Sequence, residues 1–228
     1  MDLTTQFLSP ENPSLKICGV TSLEDAKQLV ALNVPALGIN FWPASKRYCP
    51  SNLVTEILQS TANQILRVGV FVNNAAELAP ALLADNLLDL VQLHGEEPES
   101  ALESLLARGV PTIRSLALTP NTDLDTIAEH YLALAETASA PFALLLDTHA
   151  PGTYGGTGQT IDWNQASHFI DAAEGLPVIL AGGLKPENAS VAASTTGAVA
   201  IDVASGAESS PGIKDFSKVQ ALLSTLSP

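Results

Sequence analysis

The chain has 228 residues, 46% of them hydrophobic and only 15% charged, a composition that excludes a disordered chain. Ten Lys and Arg stand against 24 Asp and Glu, for a formal charge of −14. That excess argues against non-specific binding to nucleic acid or to an anionic membrane, and no Lys/Arg cluster interrupts it. No apolar run approaches the ~20 residues of a membrane span. The first 13 residues lack the basic start and long apolar core of a signal peptide. Two cysteines, Cys18 and Cys49, make neither a disulfide framework nor a zinc spacing, so a reducing, cytoplasmic location is expected.

Apolar runs of strand length alternate with stretches of helical period. The first strand is predicted at 15–18, ended by Gly19, and the first helix at 23–32, where Ser22 can cap it. Strands at 36–41, 65–72 and 90–93 follow, with a loop at 42–50 and helices near 52–60, 75–84 and 98–107. The second half repeats the pattern, with strands at 112–118, 142–146, 178–181 and 198–203. Its helices are predicted at 124–137, from about Asp162, from Pro186-Glu187-Asn188, and from about Lys214 to Leu223. Pro is favoured in a first helical turn.

Eight strand–helix units in about 215 residues predict an α/β protein that is a single (β/α)8 TIM barrel. The barrel is expected over residues 14–228, behind a short N-terminal extension, residues 1–13, that is expected to be loose. An open doubly wound sheet is the alternative. It usually has fewer strands and a GxGxxG after the first, which is absent here.

In such barrels the reacting groups project from the C-terminal ends of the strands. The unusual polar residues there are Cys18, His94, Asp147 and Asp202, with Arg47 in the loop after the second strand. Alternation puts Lys16 and Cys18 on one face of the first strand, and Asp202 with Ala200 and Ala198 on one face of the eighth. Those strands are neighbours in a closed barrel, so Lys16 and Asp202 are expected to pair inside, beneath the mouth. Each residue also has a plainer reading. A lone Cys is most often a small buried hydrophobe. Asp147 and His94 suit turns or caps, and Arg47 suits a solvated loop. His130, His149 and His168 show no ligand spacing, so no metal is expected.

Gly182-Gly183 follows the seventh strand and Ser205-Gly206 the eighth. Barrels often bind phosphate at these two loops, where backbone N–H groups approach the anion closely. The alternative is that the glycines only make tight turns. The glycine-rich loop at 152–158 lacks a GK[ST] ending and is expected to be a flap rather than a nucleotide loop.

Several segments, taken in order, carry a resemblance: KICG at 16–19, FWPASKRY at 41–48, VGVFV at 68–72 and VQLHG at 91–95. Asp147-Thr148, GGTG at 155–158, Asp162-Trp163, LAGGLKPEN at 180–188, IDVASG at 201–206 and Lys214-Asp215 complete it. Over about residues 14–224 the chain resembles the phosphoribosylanthranilate isomerase family of tryptophan biosynthesis. The resemblance implies conversion of N-(5-phosphoribosyl)anthranilate to 1-(2-carboxyphenylamino)-1-deoxyribulose 5-phosphate, an Amadori rearrangement needing no cofactor or metal. It makes Cys18 the general base, Asp147 the general acid and Arg47 the binder of the anthranilate carboxylate. It places His94 and Asp202 along the pocket, and Gly182, Gly183, Ser205 and Gly206 at the phosphate.

The implied partner is a phosphorylated, anionic small molecule, with no nucleic acid or membrane, and a monomer is expected. Near-neutral operation favours an Asp147 pKa raised by burial and a Cys18 pKa lowered by local positive charge. Cys49 has no implied role and is oxidation-prone if exposed. Another sugar-phosphate barrel enzyme is an alternative. An indole-glycerol-phosphate synthase wants a Lys in place of Cys18, and a ribulose-phosphate epimerase wants metal-binding His/Asp at strand ends. A phosphate-ligand binder without turnover is a third reading.

Overall fold

A computed structural model describes residues 2–119, 121–148 and 161–226. The first half runs α1 (Leu3–Leu8), β1 (Ser14–Cys18), α2 (Leu23–Ala31), β2 (Ala36–Asn40), α3 (Ser51–Ser60), β3 (Leu66–Phe71), α4 (Ala75–Ala84), β4 (Leu90–Leu93) and α5 (Glu99–Ala107). The second half runs β5 (Thr112–Leu118), α6 (Leu124–Thr137), β6 (Phe142–Thr148), α7 (Trp163–Ala172), β7 (Val178–Leu180), α8 (Ala189–Thr196) and β8 (Ala200–Val203). A 3-10 turn (Ser205–Ala207), β9 (Glu208–Ser210), β10 (Ile213–Lys214) and α9 (Phe216–Leu226) complete the described chain. Strands β1 to β8 are parallel and close on themselves, β8 pairing back onto β1. The expected TIM barrel is the fold observed.

The two-residue period of a strand sorts the apolar side chains into two cores. Ala143 and Leu145 of β6, Leu90 of β4 and Ala200 of β8 fill the barrel interior. Leu144 and Leu146, Val91 and Leu93, Ile17 and Ile201 face the helices instead. The same alternation turns Asp147, Gln92, Lys16, Cys18 and Asp202 inward, toward the C-terminal mouth. Ala198 packs in the outer core, opposite to its expected face, and Val199 against the inner one. Both precede β8, which begins at Ala200, so its alternation does not govern them. Ser22 caps α2 as expected, its side chain accepting from the Asp25 N–H.

Residues 1–13 are not a loose extension throughout. Leu3–Leu8 is a helix capped by Asp2, and its Phe7 and Leu8 pack on the barrel interior core. Phe7 is 1% exposed. Pro186 lies in a turn ahead of α8 rather than in its first turn, and Asn188 is the cap residue. The Asn188 side chain donates to the Gly183 carbonyl and accepts from the Lys185 N–H, so it braces the loop after β7. The last helix starts at Phe216, because Lys214 belongs to the β9–β10 hairpin. The glycine-rich 152–158 loop and His149 lie outside the described residues.

Candidate active site

The carboxyl ends of the strands surround a cleft, the place where barrels of this kind carry their sites. Cys18, Arg47, His94, Asp147, Gly182, Gly183, Asp202 and Ser205 all line it. Gly206 lies in the adjoining groove with Lys185 and Lys218. A Cβ at Gly206 would overlap the Leu184 carbonyl oxygen, so the glycine lets the loops after β7 and β8 pack together. Gly182 and Gly183 take φ of 82° and 61°, a region that side chains rarely adopt.

Asp147 ends β6 with its carboxyl largely buried. Its Oδ1 accepts from the Thr148 N–H at 2.7 Å, and its Oδ2 faces His94 Nε2 at 3.5 Å. Burial pushes the Asp147 pKa up, against the opposing pull of His94 and the Thr148 N–H. His94 is in turn held from behind. Its Nδ1 is 2.6 Å from Ser115 Oγ and 3.0 Å from Gln92 Nε2. These two contacts hold the ring so that Nε2 faces Asp147.

Cys18 sits across the mouth on β1. Burial pushes its thiol up, and Lys16 and Lys214 draw it back down while Asp202 adds to the rise. The expected lowering by positive charge is therefore present but outweighed, because the thiol is removed from water. Lys16 and Asp202 pair at 2.9 Å, inside the barrel as expected. Cys49 is 1% exposed in the outer core, and burial pushes its thiol up to about 11. A thiol in that state is inert, not oxidation-prone.

Arg47 is not a solvated loop charge. Its Nε and Nη2 donate to the Glu208 carboxylate of β9 at 2.8 and 2.7 Å, a bidentate pair. Lys214 Nζ donates to the same carboxylate at 2.8 Å and to the Cys18 carbonyl at 2.6 Å. Glu208 is held below the usual carboxylate range by Arg47 and Lys214, which overcome its burial. Two cations share one anion here, so this corner of the cleft keeps a net positive charge despite the −14 of the whole chain.

Residues 15–225 match the family model for N-(5'-phosphoribosyl)anthranilate (PRA) isomerase. The chain belongs to this family. PRA isomerase relatives include that of Myxococcus xanthus, 39% identical over 92% of this chain and 93% of the relative. The crystal structure of the Thermotoga maritima isomerase superposes with a TM-score of 0.79 at 34% identity, covering 94% of this chain and 98% of that one. A family structure in complex with reduced 1-(o-carboxyphenylamino)-1-deoxyribulose 5-phosphate has a TM-score of 0.76 at 31% identity, covering 94% and 98%.

Within this PRA isomerase barrel, the sequence offered no site role for Glu208, Gln92 or Ser115, and Lys214 entered only as part of the resemblance and as the start of the last helix. Gln92 was findable: it alternates with the inward Leu90 in a strand otherwise apolar, and a polar residue at such a position needs a reason. Glu208 and Lys214 carried no such signal, since the hairpin that brings them to Arg47 has no apolar period. Among the described residues no group of His, Cys, Asp and Glu is arranged to hold a metal.

Proposed function

We propose that this PRA isomerase family member converts N-(5'-phosphoribosyl)anthranilate to 1-(2-carboxyphenylamino)-1-deoxyribulose 5-phosphate in L-tryptophan biosynthesis, with Cys18 as base and Asp147 as acid. The observation that carries the reading is the facing of a half-buried thiol on β1 and a buried carboxyl on β6 across one cleft. The ligand held by the solved relative, a phosphorylated carboxyphenylamino sugar, supports the same substrate class.

The chemistry uses protons alone. Asp147, whose pKa is raised by burial, gives its proton to the ribose ring oxygen. The bond from that oxygen to C1' breaks, and the anthranilate nitrogen lone pair forms the C1'=N iminium. The C2' proton is then acidic. Cys18 takes it as thiolate, and the C–H electrons make the C1'=C2' bond and neutralise the nitrogen. The resulting enolamine gains a proton at C1' and loses one from its hydroxyl, giving the ketone. Cys18 is left protonated and Asp147 ionised, and exchange with water resets both. Each transfer typically contributes about 10²–10⁴-fold. His94, with Nε2 facing Asp147, orients that carboxyl.

Arg47 takes the anthranilate carboxylate. Glu208 holds the guanidinium by one edge and leaves Nη1 outside that pair. Gly182, Gly183 and Ser205 take the phosphate with backbone N–H groups, and Gly206 shapes the loop that does so. Asp202 accepts from a sugar hydroxyl through Oδ1, which is buried without a partner. Because no electron leaves the substrate, the reaction calls for no redox cofactor.

The same reading takes the protein as a cytoplasmic monomer. Two free cysteines and the absence, among the described residues, of any helix long and apolar enough to cross a membrane support the first part. The second is supported by the few large apolar side chains exposed among the described residues, Val191 and Ile213. Sedimentation at micromolar concentration tests it. Activity is tested by generating the substrate from anthranilate and phosphoribosyl pyrophosphate with a separate transferase. Its fluorescence is expected to disappear faster than by spontaneous hydrolysis and without return of free anthranilate. Equal rates with and without the protein would sink the assignment.

A further inference from the structure

Lys16 is 0% exposed inside the barrel and takes no part in the proton transfers. Lysine is almost never fully buried without a reason, and a well-packed apolar pair at this place would often be no less stable than the ion pair. Its position is dictated by β1: Ile17 faces the helices, so Lys16 and Cys18 both face inward. The β1–β8 register sets Lys16 directly opposite Asp202, whose Oδ2 accepts from Nζ at 2.9 Å. The ammonium has three donors, and this uses one.

Gly38 of β2 shows where the rest of the ammonium lies. A Cβ at Gly38 would sit 3.0 Å from Cys18 Sγ and 3.1 Å from Lys16 Nζ. The thiol and the ammonium are thus packed side by side against bare backbone. We propose that Lys16 is the positioning residue that makes Cys18 a base: its buried ammonium, anchored by Asp202, stabilises the thiolate. This rests on the reading of Cys18 as the base.

The other charges facing Cys18 agree with that role. Lys214 and Arg47 approach from β10 and the β2–α3 loop, and both are committed to Glu208. Lys16, Lys214 and Arg47 against Asp202 and Glu208 leave one net positive charge around the sulfur, which a thiolate cancels. Asp202 opposes ionisation by its own charge and serves it only by holding Lys16 in place. Removing the two partners should therefore move the thiol in opposite directions, which a merely structural ion pair would not do.

The test is the pH dependence of Cys18 alkylation by iodoacetamide on the full chain, read by mass spectrometry. Cys49 is distinguished by its peptide and stays silent below pH 9. Lys16→Met is expected to raise the midpoint and slow alkylation at pH 7.5 by about tenfold or more, one pKa unit being tenfold in thiolate. Asp202→Asn is expected to lower the midpoint, and Lys16→Arg to stay near the parent. A midpoint unchanged in Lys16→Met, or both variants moving the same way, overturns the proposal. If Lys16→Met does not fold, the Lys16→Met/Asp202→Asn double variant leaves no unpaired buried charge. Its midpoint is expected above the parent, and an unchanged one overturns the proposal equally. The readout needs no turnover, so an inactive parent protein would count against the isomerase assignment and leave this result standing.

Discussion

The two mouths of the barrel are closed in opposite ways. At the N-terminal mouth, α1 drives Phe7 and Leu8 into an apolar interior of Ala, Val, Leu and Ile. At the C-terminal mouth the same strands end in Lys16, Cys18, Gln92, Asp147 and Asp202, with Arg47, Glu208 and Lys214 packed above them. One end gains by removing hydrocarbon from water. The other removes charges from water and recovers only part of the cost by pairing them. On the function proposed above, the bottom of the barrel serves stability and the top serves the chemistry, and a substitution should behave according to its end.

The largest expected effect separates activity from stability at the top. Asp147→Asn and Cys18→Ala should each lower turnover about 10²–10⁴-fold. Asp147→Asn should nonetheless melt higher than the parent. The folded Asp147 pKa lies above the ordinary carboxylate value, so the folded chain holds that proton more tightly than the unfolded chain does. The stability this contributes is fully present below the unfolded value and is lost as pH rises through the folded one. Once pH has risen through the folded value the ionised carboxyl sits in a buried place, a cost that Asn does not carry. Melting curves at pH 5 and pH 8 should show the variant's advantage growing with pH; no advantage at pH 8 contradicts the two-ended picture.

At the other end, Phe7→Ala should cost about 3–5 kcal/mol, lowering the melting temperature by roughly 6–20 °C. Turnover at 25 °C should stay within twofold of the parent, because the cavity opens a barrel's length from the chemistry. A large loss of activity in a variant still folded at that temperature would mean that the two ends are coupled.

The smallest effect concerns recognition. Arg47→Ala should raise KM by about 10- to 100-fold with kcat little changed, the size of a charge-assisted hydrogen bond. Glu208→Gln should move KM in the same direction by less, since the guanidinium remains but loses its bidentate anchor. Initial-rate kinetics with in situ substrate separate the two constants. A fall in kcat alone for either variant would assign Arg47 to the transition state instead.

Much of this was legible in the chain itself. The period of the apolar runs gave eight strands whose cores agree with the structure to within two residues at most ends, because strand and helix periods are local properties. Alternation alone places Lys16 against Asp202, since strand neighbours in a closed barrel are fixed by topology. The short segments went less well. α1 is six residues long, too short to show a helical period, and only the barrel floor gives its Phe7 a reason to be buried. The hairpin strands β9 and β10 are three and two residues long, too short to show a period, and they carry Glu208 and Lys214 to Arg47.

The sequence by itself determined the barrel, the order of its elements, and which strand ends present a thiol, a carboxyl and glycine pairs. Those follow from neighbours along the chain. Only the tertiary structure decided the charge balance at the mouth: that Arg47 shares Glu208 with Lys214, that burial outweighs the cations at Cys18, and that Gln92 and Ser115 fix the His94 ring. These are sums over groups up to 196 residues apart in the chain, and over water excluded by the fold. No local pattern encodes either quantity.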